Sequence, residues 1–136
     1  MATPPMRWAI VRLDNGAGSP AIGGEGRSAN LRRAALVVSN EAFHRGGFAT
    51  VCPIVDRPAR TYRPSEVGIP AGHAGFKNGA LVLAHQLHTV SLSRLSPVVS
   101  RGLVRHIRDA RVRRQVREAL LHHLGLDLSA VTDGGR

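Results

Sequence analysis

Fifteen glycines and eight prolines cut this 136-residue chain so often that short strands, rather than a helix bundle, must carry its fold. Arg7 to Leu13 alternates weakly and predicts a strand. Ala34 to Val38 is short, apolar and partly β-branched, which predicts a buried strand, and Phe48 to Val55 predicts a second core strand. Between them Ser39-Asn40 is placed to cap a short helical turn through Glu41-Ala42-Phe43. Glu66 to Ile69, held between Pro64 and Pro70, has room only for a short edge strand. Gly75 to Gly79 predicts a turn, with Asn78-Gly79 its strongest hairpin signal. Ala80 to Ala84 and Leu87 to Leu92 follow as strands around His85-Gln86.

One stretch breaks this rhythm. After Asp109, a fitting N-cap, apolar residues recur at Val112, Val116, Ala119, Leu120 and Leu124, and Gly125 suits the C-terminal cap. The other face carries Arg111, Arg113, Arg114 and Arg117. The expected fold is therefore mainly β: about five or six short strands in a small barrel, with one C-terminal amphipathic helix packed across it. Residues 1–126 form the single domain that a chain of this size can build, and 127–136 form a frayed tail. Asp14 to Arg32, with five glycines, predicts a long functional or disordered loop.

The charge narrows the function. Nineteen Lys and Arg face nine Asp and Glu, a formal net charge of +10 with a pI near 11.7, and all the cations but Lys77 are arginines. Arginine grips phosphate through two parallel hydrogen bonds, so the balance points to a polyanionic or acidic protein partner. The plainer account is an arginine-rich solvated surface. Cys52 is the only cysteine, which excludes an intrachain disulfide, and its apolar neighbours make it a buried core thiol. No stretch reaches the roughly 18 apolar residues of a membrane span. The N-terminus lacks the long apolar core of a secretory signal, and the expected setting is the reducing cytoplasm.

Four segments in order resemble the MazF/PemK family of toxin endoribonucleases. Arg32 to Asn40 resembles the family's Arg-Pro-Ala-Val-Val-Val-Ser strand, and Val51 to Val55 its Val-Pro-Ile-Thr strand end. Gly79 to Val90, followed by Ser93-Arg94-Leu95, resembles the segment that holds Asp-Gln-Ile-Arg-Thr-Val and Arg-Leu. Val116 to Leu126 resembles the terminal helix. The likeness spans about residues 7 to 126. It implies an SH3-like barrel with a C-terminal helix and a homodimer. It also implies metal-independent cutting of single-stranded RNA (mRNA) by attack of a 2′-hydroxyl on the adjacent phosphate, with no cofactor. The partner it implies is an antitoxin protein with an acidic C-terminal tail.

The family's active-site Arg falls on Arg33, a fixed cation suited to charge developing on phosphorus. Its Thr falls on Val55, which copies threonine's shape without the hydroxyl. Asp56 is the proton acceptor nearest that gap, provided the strand ends at Val55; otherwise alternation aims it at the other face. His85 and His88 stand where the family has Asp and Arg, and histidine is a residue type suited to proton transfer near neutral pH. Arg32, Arg57, Gln86, His88 and Ser39 are the expected RNA contacts. Ala34 replaces a family proline, and Arg7 and Arg12 replace acidic residues of the first strand.

The remaining features have quieter readings. His44 falls on the turn after the second strand. His122 and His123 are adjacent on a helix and point about 100° apart, so they cannot chelate one ion, and no zinc-ligand spacing exists. Arg101, Arg105 and Arg108, with the helix arginines, are either a solvated face or a contact for RNA or an acidic tail. Trp8 and Tyr62 are able to stack bases, though core anchoring suits Trp8 better. Three function classes remain: a toxin-type endoribonuclease, a catalytically altered relative that binds RNA or a protein without cutting, and a gyrase-directed toxin on the same barrel.

Overall fold

The computed structural model describes residues 7–13, 34–58 and 63–126. Arg33, Tyr62, the whole 14–32 loop with Arg32 in it, and the 127–136 tail lie outside the described residues. The elements run β1 (Ile10–Leu13), β2 (Ala34–Val37), α1 (Glu41–His44), β3 (Phe48–Val55), β4 (Glu66–Ile69), β5 (Ala80–Leu83), β6 (His88–Ser91), β7 (Leu95–Pro97), β8 (Val99–Ser100), β9 (Leu103–Val104) and α2 (Ala110–Leu124).

β3 organises the sheet. It pairs with β2 along one edge. Its other edge is shared: the first half pairs with β6 and the second half with β5. Every pairing is antiparallel, and the path runs β4-β5-β3-β2-β1-β7. The expected barrel does not close among these residues, since β4 and β7 end the path. Both ends are chemically blunted. β4 sits between prolines 64 and 70, and β7 stops at Pro97, which has no N–H to offer another strand. Strands β7 to β9 are only two or three residues long, too short to leave a pattern in sequence. β8 and β9 turn back through Arg101-Gly102, both at positive φ (53° and 77°), the backbone that a two-residue hairpin requires.

The strands β1 to β3 are buried on both faces. Ile10, Leu36, Cys52 and Ile54 pack with Val67, Ile69 and Val82, and with Val112, Val116 and Ala119 of α2. Val11, Ala35, Val37, Ala49, Val51 and Val90 form a second cluster on the opposite face. Double-sided burial explains why these runs are continuously apolar instead of alternating. Cys52 lies fully inside, and burial pushes its thiol up to about 12. The folded state thus favours the neutral thiol. This contribution to stability is whole below the ordinary thiol pKa and fades as pH rises towards 12. The native protein is expected to resist thiol-specific reagents at neutral pH and to react once unfolded in urea; fast labelling of the native form would contradict this burial.

The helix ends follow the sequence signals. Ala42 N–H donates to Asn40 Oδ1 at 2.9 Å, and Arg111 N–H to Asp109 Oδ1 at 2.8 Å. Gly125 adopts φ +70°, and Leu126 N–H closes onto the Leu121 carbonyl at 2.8 Å. One position departs from the periodic pattern: Leu124 is 56% exposed. In the sheet α2 packs chiefly on the edge strand β4, and its last turn lies beyond the buried stripe.

Candidate functional site

β3 ends at Val55, and Asp56, Arg57 and Pro58 leave the sheet into solvent. Because the strand stops there, Asp56 is not driven into the core. It lines a cleft of about 480 Å³. Register brings the rest of the wall together: Arg12 of β1 lies opposite Ala34, the first residue of β2, and both face this cleft. Lys77 and Phe76 come from the β4–β5 connection, and Arg105 from the segment before α2. Among the described residues the cleft thus gathers three cations and one carboxylate over the apolar floor of Ile54, Val55 and Phe76.

Arg105 is held on several sides. Its Nε donates to the Ala74 carbonyl at 2.6 Å, and its guanidinium lies 4.5 Å from the Phe76 ring centre. Gly75, at φ +83°, lets the guanidinium pass; a Cβ there would lie only 2.7 Å from its central carbon. One terminal nitrogen, Nη2, is buried without a hydrogen-bond partner among the described residues. Burial lowers the Arg105 pKa, repulsion from Arg12 lowers it further, and Asp56 acts in the opposite sense. A half-buried cation with an unused donor, beside another cation, is an arrangement that an anion in the cleft would stabilise.

The expected histidines lie away from the cleft, on β6 and in the β5–β6 connection. His88 pairs with Val51, five residues before Asp56 and roughly 16 Å away at a strand's rise. Burial lowers its pKa, which favours the neutral ring. His85 and Gln86 occupy the β5–β6 connection, their side-chain nitrogens 3.3 Å apart. His85 Nδ1 and Gln86 Oε1 are both buried without partners among the described residues. Ser39 Oγ accepts from Thr50 N–H at 2.9 Å and shares a 2.7 Å hydrogen bond with buried His44, which ties α1 to β3. Arg57 is exposed beside Asp56.

Arg33 and Arg32 lie outside the described residues, but Arg33 is bonded to Ala34 of the cleft wall. Sequence reasoning singled out Asp56, named Arg105 only as part of a basic run, and did not place Arg12, Lys77 or Phe76 beside it. Their only local signal was the turn at Gly75 to Gly79; nothing in the sequence places Arg12 and Arg105 within reach of it. Among the described residues no three His, Cys, Asp or Glu side chains lie close enough to hold a metal ion. No described helix is long and apolar enough to cross a membrane.

Residues 7–124 match the family model described as PemK-like, MazF-like toxin of type II toxin–antitoxin system. Among solved structures, MazF from Deinococcus radiodurans is 28% identical, with a TM-score of 0.64 over 92% of this chain and 100% of that one. The MazE–MazF complex from the same organism gives 26% identity and a TM-score of 0.63, covering 93% and 100%. An endoribonuclease in complex with its cognate antitoxin from a mycobacterial species, 20% identical, shares the fold with a TM-score of 0.63, covering 90% and 97%. A comparison with curated protein sequences returned no match.

Proposed function

The chain belongs to the PemK-like, MazF-like toxins of type II toxin–antitoxin systems, and on that premise we propose that it is an endoribonuclease cutting single-stranded RNA at the cleft where β3 ends. The observation that carries this reading is the juxtaposition there of Asp56 with Arg12, Lys77 and Arg105, beside the start of β2 that Arg33 precedes. In the proposed reaction Asp56 accepts the proton of a 2′-hydroxyl. That oxygen attacks the adjacent phosphorus, and the bond from phosphorus to the 5′-oxygen breaks. The leaving oxygen takes a proton from water, giving a 2′,3′-cyclic phosphate and a 5′-hydroxyl. Arg33 and Arg105 stabilise the added negative charge on the phosphoryl oxygens, where fixed cations in a low-dielectric wall act most strongly. No step calls for a metal.

Arg32, Arg57 and Ser39 would extend the RNA contact, and His85, Gln86 and His88 would meet the strand farther along β3. The division of β3 between two partners, β6 along its first half and β5 along its second, supports reading the sheet as the family's SH3-like barrel. The solved MazE–MazF complexes support a cognate antitoxin as inhibitor, its acidic tail meeting the cationic cleft. A homodimer in the cytoplasm completes the reading.

The test is incubation of purified protein with a long single-stranded RNA in excess chelator. Products with 5′-hydroxyl and cyclic phosphate ends are expected. Folded protein that leaves this RNA intact would instead favour the second reading, an RNA-binding relative that has lost cutting. Val55 is the observation behind it, since no hydroxyl stands in the cleft wall there. In that case RNA binding is expected to weaken steeply with salt, and Val55→Thr is expected to raise cleavage above the unmodified protein.

A further inference from the structure

A second group of cations lies outside the cleft. The guanidinium carbons of Arg7, Arg113 and Arg117 sit 4.9, 5.6 and 5.8 Å from the ring centre of one indole, that of Trp8. No two of them can be more than about 12 Å apart. The electron-rich indole face offsets part of this crowding. Among the described residues none of the three forms an ion pair with a carboxylate. Glu41 accepts only the backbone N–H of Arg7, at 3.4 Å.

The cluster is held in place by the backbone. Arg7 Nε donates to the Val38 carbonyl at 3.1 Å and Arg113 Nε to the Ile107 carbonyl at 2.6 Å, which fixes both forks while leaving their terminal nitrogens for a ligand. Trp8 itself stands at φ +74°, a costly backbone for a bulky side chain. It is held there by hydrogen bonds from its N–H to Val37 and from Ile107 N–H to its own carbonyl. The arrangement resembles a preset anion cradle more than a solvated helix face.

We propose that Arg7, Arg113 and Arg117 form a second phosphate-binding site, which holds the backbone of a single-stranded RNA whose scissile bond lies in the cleft. The two sites share one frame. Segment 105–107 sends the Arg105 side chain into the cleft and uses the Ile107 carbonyl to anchor Arg113. β1 carries Arg12 at the cleft, four residues beyond Trp8, roughly 13 Å at an extended rise. A strand of a few nucleotides spans that gap. Trp8 is buried, so no base stacks on it, and the contact is to phosphate, blind to sequence. This inference rests on the RNA reading above, though on holding RNA and not on cutting it.

Trp8 is the only tryptophan and therefore reports the site directly. The full chain is titrated with a short single-stranded RNA oligonucleotide methylated at its 2′-hydroxyls, which can be held but not cut. Indole emission is expected to change to saturation, and added salt to weaken the binding. Replacing Arg113 and Arg117 together by Gln is expected to weaken binding, measured by fluorescence anisotropy, at least about tenfold. Arg117→Glu alone, at an exposed position, should repeat the loss without disturbing the fold. Asp56→Asn, which removes the proposed base, should keep the Trp8 response. If unmodified RNA stays intact while the Trp8 response persists, the cleavage reading falls and this site stands. The site is overturned by binding without a change in Trp8 emission, by undiminished affinity in the double variant, or by a poly-glutamate peptide that saturates the response more tightly than the oligonucleotide.

Discussion

Arg105→Gln is expected to lower metal-free RNA cleavage by about 10²–10³-fold, with the fold intact, because it removes a fixed positive charge from the place where charge develops. Glutamine keeps a donor near the Ala74 carbonyl and keeps some packing on Phe76, so the loss isolates the charge. Arg33→Ala should fall in the same range if both cations act on one phosphoryl group. Gly75→Ala adds a second line of attack. The alanine must adopt φ +83°, costing about 1–2 kcal/mol. Its Cβ would also occupy the space of the Arg105 guanidinium. Cleavage should therefore drop even though every cation is still present. Single-turnover rates on saturating RNA check all three. An Arg105→Gln rate within a fewfold of the parent would remove Arg105 from the mechanism.

Arg105 also marks where sequence reading stops. The strands were legible because β-branched apolar runs between Gly and Pro can do little else, and Phe48–Val55 emerges with the boundaries its composition implies. Asp109 and Gly125 bound α2 for the same local reasons. The end of β3 at Val55, the condition on which Asp56 escapes the core, was legible as well. The cleft is different in kind. Its cations come from positions 12, 77 and 105, joined only by strand register and by a glycine whose missing side chain makes room. No local pattern encodes that. The same long-range register sets His88 opposite Val51 and away from Asp56, a separation that proximity in the family's motif does not reveal.

Leu36→Ala should cost about 2–5 kcal/mol, while Leu124→Ala should cost within about 0.5 kcal/mol, although both are apolar residues in regular elements. Leu36 has no solvent exposure and lies on the central strand β2, opposite Ile10 on one side and Cys52 on the other. Truncation there leaves a void between neighbours on two hydrogen-bonded strands, which cannot close without breaking the register that places Arg12 beside Ala34. Leu124 is 56% exposed on the last turn of α2, so little packing is lost. Urea unfolding followed through Trp8 emission measures both costs, and thermal unfolding is expected to show a fall of roughly 10 °C in Tm for Leu36→Ala. The contrast bears on function, because a loosened β2 also loosens the cleft wall that follows Arg33. Leu36→Ala should therefore lose cleavage activity at temperatures below its own unfolding midpoint. If cleavage instead tracked only the folded fraction, the cleft would not depend on β2 for its geometry.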